Sequence, residues 1–149
     1  MSRQLEKFRS PSRFEHWFNG FVALLAKFGI TFKDGYRLIV RGRKSGNEYA
    51  VAVTVLTLNG EQYLVAPRGE TQWVRNVRVA EQVRLEKGAS VENFHTQELT
   101  DDRKLAVLSA YLSEYRKAVQ RYFPIQAGAA PEEFKSIADS YPTFLLSRS

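Results

Sequence analysis

The sequence predicts an α+β domain built on a small antiparallel β-barrel with flanking helices. Three observations carry that expectation. Short β-rich segments joined by tight turns fill residues 36–98, apolar residues at helical spacing lie before and after them, and a length of 149 residues suits one domain. Hydrophobic residues make up 44% of the chain and aromatics 13%, enough for a core without disulfides or metal staples. The expected organisation is a single domain over 1–149. An N-terminal amphipathic helix covers 12–28, the barrel core 36–98 and the C-terminal helices 101–141.

The first element opens at Ser10-Pro11-Ser12, with Pro near the first turn and Glu15 three residues after Ser12. Phe14, Trp17, Phe18, Phe21, Val22, Leu25 and Phe28 then fall at 3, 4 spacing, and Gly29 ends the helix. Such an aromatic stripe either docks on the body of the protein or lies at a membrane interface. Tyr36 to Arg41 is β-rich, residues 42–47 form a turn with two glycines, and Glu48 to Leu58 alternates in part. Asn59-Gly60 is the strongest hairpin signal, and the chain returns over Gln62 to Ala66. After a loop at Pro67 to Thr71 comes a short helical turn, Gln72 to Arg78. Val83 to Glu86 and Ser90 to Glu98 flank a turn at Lys87-Gly88. Two such hairpins joined through a loop predict a closed or half-closed barrel. Thr100-Asp101-Asp102 caps a second long helix whose apolar face is Leu105, Leu108, Leu112, Tyr115 and Val119. Residues 123–130 read as loop, and Pro131 starts a third helix through Ile137. Pro142 blocks continuation, and Thr143 to Leu146 reads as a closing strand.

Composition narrows function. The absence of cysteine excludes disulfides, thiolate metal sites and a cysteine nucleophile, and suits a reducing cytoplasm. No apolar run is long enough to span a bilayer, and no signal-peptide pattern is seen. The formal net charge of +6 favours anionic partners, and ten Lys/Arg crowd residues 1–48. Nucleic acid is the weakest of these partners, because no helix-turn-helix, zinc spacing or aromatic RNA-binding motif is present. The two histidines, His16 and His95, stand alone, without metal-ligand spacing. Ser10, Ser12 and Ser45 lack a nucleophile elbow. An enzyme of this composition needs a bound cofactor to carry its chemistry.

Two constellations remain. Arg41-Gly42-Arg43-Lys44-Ser45-Gly46 joins backbone freedom to cationic and hydroxyl donors, which suits either a concave anion site or a plain solvated turn. Ala66-Pro67-Arg68-Gly69 precedes Trp73-Val74-Arg75-Asn76. There Trp73 and Asn76 share one helical face, and either meet a flat heterocycle or fill the core and cap backbone.

Taken in order, Leu38 to Gly46, Tyr63 to Gly69, Trp73 to Arg78 and the ending Tyr141-Pro142-Thr143-Phe144-Leu145 resemble the deazaflavin-dependent oxidoreductases, also called the deazaflavin-dependent nitroreductase family. The resemblance covers most of residues 36–146. It implies a split β-barrel of the FMN-binding kind and an 8-hydroxy-5-deazaflavin cofactor (coenzyme F-420), in preference to FMN. It also implies that Arg43, Lys44 and Ser45 hold the cofactor phosphate. Arg68 would be a second basic contact, Trp73 and Asn76 would line ring and tail, and Gly46, Tyr49 and Ala66 would complete the site. The chain departs from the family pattern at Tyr49, where a basic residue is usual, and at Ala52-Val53.

The implied activity is hydride transfer from reduced deazaflavin to an electron-poor small molecule: an enone, quinone or nitro compound. Tyr49, Tyr111, Tyr115 and Tyr122 are candidate donors to the acceptor, and no catalytic residue is singled out. A non-catalytic binder of an apolar ligand such as a fatty acid, with peripheral membrane contact through the N-terminal stripe, is the alternative. A homodimer is expected, because pairing covers barrel edges.

Overall fold

The computed structural model describes residues 34–149. The helix expected over 12–28, with His16 and the N-terminal cations, lies outside the described residues. Among the described residues no helix is long and apolar enough to cross a membrane.

β1 (Gly35–Arg41) and β2 (Glu48–Thr54) form the first hairpin, in register from Gly35 opposite Thr54 to Arg41 opposite Glu48. The single strand expected over 48–58 is two strands. It breaks at Val55, whose N–H donates to the Asp34 carbonyl (2.9 Å), and resumes as β3 (Leu56–Leu58). Asn59 and Gly60 both take positive φ, 53° and 82°, as a two-residue hairpin turn requires, and β4 (Glu61–Val65) follows. β5 (Gln82–Lys87), β6 (Ser90–Glu98) and β7 (Thr143–Arg148) complete a sheet of order β2-β1-β5-β6-β7-β4-β3, every pair antiparallel.

That order explains the shape. β2 and β3 are consecutive pieces of one bent segment, yet they sit at opposite ends of the sheet, so the sheet must curl until its ends meet. The β3–β4 pairing stops at Leu56 and Tyr63; among the described residues, β2 pairs with β1 alone, and Leu64 and Val65 of β4 pair with β7 alone. The barrel is split along this line.

Two apolar clusters hold the fold. Inside the barrel, Leu38, Val53, Leu64, Leu85, Phe94 and Phe144 pack with Val74 and Val77 of helix α1 (Gln72–Ala80), which plugs the interior. On the outer face, helix α2 (Arg103–Glu114) buries Leu105, Leu108, Tyr111 and Leu112 against Tyr63, Leu145 and Phe134. The expected second helix is interrupted at Tyr115 (φ −114°, ψ 27°) before a short α3 (Arg116–Val119). Within the expected cap Thr100-Asp101-Asp102, the side chain that accepts the Arg103 N–H (3.0 Å) is that of Asp101. The expected third helix is two 3-10 turns instead, Pro131–Phe134 and Ala138–Ser140. A short segment held between two prolines takes local bonds to the residue three back, as Ile137 to Phe134 and Tyr141 to Ala138 do here.

Candidate functional site

The split opens into a cavity of about 900 Å³. Residues 49–54 all line it, and among the described residues β2 is an end strand of the sheet. Opposite lie Val65 to Gly69, then the first turn of α1. The back wall is formed by Tyr111 and Tyr115, and by Ala118 to Tyr122 apart from Gln120.

The 42–47 turn forms one end. Gly42 donates to Asn47 O (2.6 Å) and Gly46 donates back to Gly42 O (3.0 Å). Ser45 Oγ accepts the Asn47 N–H (3.1 Å) and lies 3.2 Å from the Tyr49 hydroxyl. A Cβ on Gly42 would stand 2.5 Å from Tyr49 Cε2, so glycine is what lets that ring lie across the turn.

Arg43 is tied to α1. Asn76 Oδ1 accepts from Arg43 N (3.1 Å) and Nη1 (2.8 Å), and Gln72 Oε1 accepts from Nη2 (3.0 Å). Both acceptors are neutral amides, so the guanidinium is oriented while its charge stays uncancelled. Asn76 is only 6% exposed, and its oxygen is spent on Arg43. Lys44 and Arg68 are exposed side chains on the rim, and Ala66 is buried, donating its N–H to Pro142 O (2.9 Å). Trp73 is half-buried and tilted against Phe144, with 6.1 Å between ring centroids.

Every sequence-selected residue of the site, Arg43, Lys44, Ser45, Tyr49, Ala66, Arg68, Trp73 and Asn76, lines this one cavity; Gly46 closes the turn beside it. Gln72, Thr71 and Arg121 are among the lining residues that sequence reading missed. Gln72 had a signal, since two amides four apart share a helix face. Thr71 and Arg121 had none. His95 is exposed on β6, away from the cavity. Among the described residues no group of three or more His, Cys, Asp or Glu is placed to hold a metal.

The electrostatics are one-sided. Arg43, Lys44, Arg68 and Arg121 line the cavity and, among the described residues, no Asp or Glu does. The acids adjacent in sequence are engaged elsewhere: Glu48 pairs with Arg84 (3.3 Å), and Glu70 with Arg75 (3.2 Å) and Arg78 (2.7 Å). On the back wall, Tyr115 Oη donates to Asp34 Oδ2 (3.0 Å), and burial, then that carboxylate, pushes the phenol well above its ordinary range. Burial likewise raises Tyr111, which is hydrogen-bonded to Thr54. Both phenols stay protonated at neutral pH. Tyr122 is half-buried, and its hydroxyl accepts from Arg121 Nη2 (3.0 Å).

The donor set fits a flat cofactor with an anionic tail. Among the described residues, four cations stand at one cavity without a carboxylate, Thr71 Oγ1 is buried with no partner, and β2 presents an open backbone edge beside apolar walls.

A family model of F420H(2)-dependent quinone reductases matches residues 21–128. Among solved structures, the chain is similar to an F420-H2 dependent reductase at 18% identity, covering 77% of this chain and 95% of that one, with a TM-score of 0.54. It is similar to an FAD-binding protein from Mesorhizobium loti at 19% identity, covering 85% and 88%, with a TM-score of 0.53. A structure described as a domain-swapped dimer matches at 16% identity, covering 93% and 100%, with a TM-score of 0.57. At these identities the likeness is one of fold, and the fold is the split barrel. No curated protein matches the chain.

Proposed function

Because this chain belongs to the F420H(2)-dependent quinone reductase family, and so is an oxidoreductase that uses the deazaflavin cofactor, we propose that it reduces an electron-poor enone, quinone or nitro compound in the cavity at the barrel split. The observation that carries this reading is that Arg43, Lys44, Arg68 and Arg121 line that cavity beside apolar walls while, among the described residues, no acid lines it.

In this reading Arg43, Lys44 and Ser45 hold the cofactor phosphate, with Arg68 as a second contact. Asn76 and Gln72 act through Arg43 by fixing its guanidinium. Trp73, Tyr49 and the open edge of β2 enclose the ring. When bound, the reduced cofactor supplies a hydride. The acceptor takes it at an electron-poor carbon or nitrogen, and negative charge develops on the conjugated oxygen. Donors fixed in advance toward that oxygen stabilise the charge. The donor assigned here is Tyr122, whose hydroxyl accepts from Arg121 and keeps its own proton to donate. Tyr115 spends its proton on Asp34 and shapes the wall. The apolar walls exclude water from the reacting atoms.

Two copies are expected to pair, covering strand edges that the split leaves open. The solved relative described as a domain-swapped dimer supports pairing. Light scattering showing only a 17.1 kDa species would remove it.

The test of function is equilibrium binding of deazaflavin and of FMN to the purified protein, followed by turnover of an acceptor panel with reduced deazaflavin. Deazaflavin binding with reduction of a quinone or enone is the expected result. Absence of binding by either cofactor would overturn the reading, and a co-purifying fatty acid would then favour a non-catalytic binder.

A further inference from the structure

The cavity has a cation that the phosphate end does not account for. Arg43 and Lys44 belong to the β1–β2 turn, and Arg68 follows β4. Arg121 instead comes from the helical wall, next to Ala118, Val119 and Tyr122. Its guanidinium lies over the Tyr122 ring (5.0 Å to the centroid) and donates to the Tyr122 hydroxyl. Both contacts are to a neutral group, so the fork is oriented with its charge intact. Among the described residues no acid pairs with it.

The turn that presents Arg121 is anchored on both sides. Gln120 Nε2 donates to Ile125 O (2.8 Å), and its Oε1 accepts the Ala127 N–H (2.8 Å). The Tyr141 hydroxyl donates to the Tyr122 carbonyl, and Phe123 stacks on Tyr141 at 4.2 Å. Arg121 is an exposed residue on an anchored turn beside apolar cavity walls, a placement that suits an anion entering with an apolar body.

We propose that Arg121 recognises the acceptor, and that the acceptor class of this cavity carries a carboxylate on or beside its electron-poor ring. The proposal rests on the reductase reading and specifies its substrate. The same carboxylate chemistry exists in the glutamyl tail of the cofactor, so the test must separate the two sources.

Two oxidised probes serve: a naphthoquinone bearing a carboxylate and its methyl ester. Their binding is read by quenching of tryptophan fluorescence, with and without deazaflavin. Arg121→Gln is expected to weaken the carboxylate probe roughly ten- to a hundredfold, the loss typical of a charge-assisted contact. The ester should change by less than about threefold, a difference below one such contact. Deazaflavin affinity should hold, Arg121→Lys should retain part of the preference, and Lys117→Ala, on the exposed face of α3, should change neither probe. Equal loss for both probes, or loss for neither, overturns the proposal. So does a loss confined to deazaflavin that grows with the number of glutamates, which would assign Arg121 to the cofactor tail. The arm without deazaflavin stays readable even if deazaflavin does not bind, so failure here is distinct from failure of the reductase reading.

Discussion

The side-chain oxygen of Asn76 accepts both the backbone N–H and the guanidinium of Arg43, at 3.1 and 2.8 Å, and so fastens the 42–47 turn to helix α1. Gln72 completes the clamp from one turn earlier. A carboxylate could hold the same geometry, but it would cancel the charge that the turn offers to an anion.

That contrast yields the first prediction. Asn76→Asp keeps two acceptor positions and adds one negative charge beside Arg43. Deazaflavin affinity should fall roughly fivefold, about 1 kcal/mol, while the fold is retained. Asn76→Leu removes the acceptor and leaves the Arg43 N–H without a partner, so it should lower both affinity and the thermal transition. Binding titration beside thermal melting separates the two. If Asn76→Asp binds as tightly as the parent, the neutrality of the clamp is irrelevant.

Lys44 is exposed at the cavity rim, in contrast to Arg37, which pairs with Glu86 (3.7 Å) on β1. Lys44→Ala should weaken deazaflavin binding by about 1.5 to 3 kcal/mol, roughly ten- to a hundredfold, with little change in melting temperature. Arg37→Ala should affect binding far less. The Lys44 effect should shrink as salt rises, because screening already weakens the parental contact. Equal losses in the two variants would mean that binding follows net charge alone.

Gly42→Ala tests the close approach in the turn. The new methyl would meet the Tyr49 ring at 2.5 Å and Ser45 Oγ at 3.2 Å. Tyr49 is 46% exposed and the clash falls on the outer part of its ring, so the fold should absorb the change within about 0.5 kcal/mol. Its displacement should break the Ser45–Tyr49 contact and reduce deazaflavin affinity. A large drop in melting temperature without loss of affinity would contradict this.

Alkaline behaviour follows from the back wall. Of the seven tyrosines, Tyr63, Tyr111, Tyr115 and Tyr141 have phenols raised above the ordinary value, burial being the first cause in each. A raised folded value means the folded protein binds more protons than the unfolded chain above about pH 10. Stability from these groups is therefore complete below that pH and declines as pH rises through it. Tyrosinate absorbance should appear in two stages, the second coinciding with loss of circular dichroism. Tyr115→Phe should cost about 1 to 3 kcal/mol at neutral pH, because the Asp34 carboxylate loses its phenol donor. A single titration stage with the fold intact would refute the account.

The sequence alone determined the local parts. Period-two alternation, the Asn59-Gly60 turn and helical spacing after Asp102 identified most strands and α2, since each depends on neighbours a few residues apart. The Gly42 to Gly46 turn and Trp73-x-x-Asn76 were legible as site residues for the same reason, and they converge on one cavity. Tertiary structure decided what local rules cannot express. The break at Val55 depends on Asp34 and on a sheet that returns to its own end, and so does the split that forms the cavity. The 3-10 turns after Pro131 reflect a short segment held between two prolines. Whether Asn76 faces a ligand or Arg43 depends on a turn 33 residues earlier in the chain. Arg121 lacked any motif because its place in the cavity comes from the interruption at Tyr115 and the clamp of Gln120, contacts that exist only once the helices have packed on the barrel.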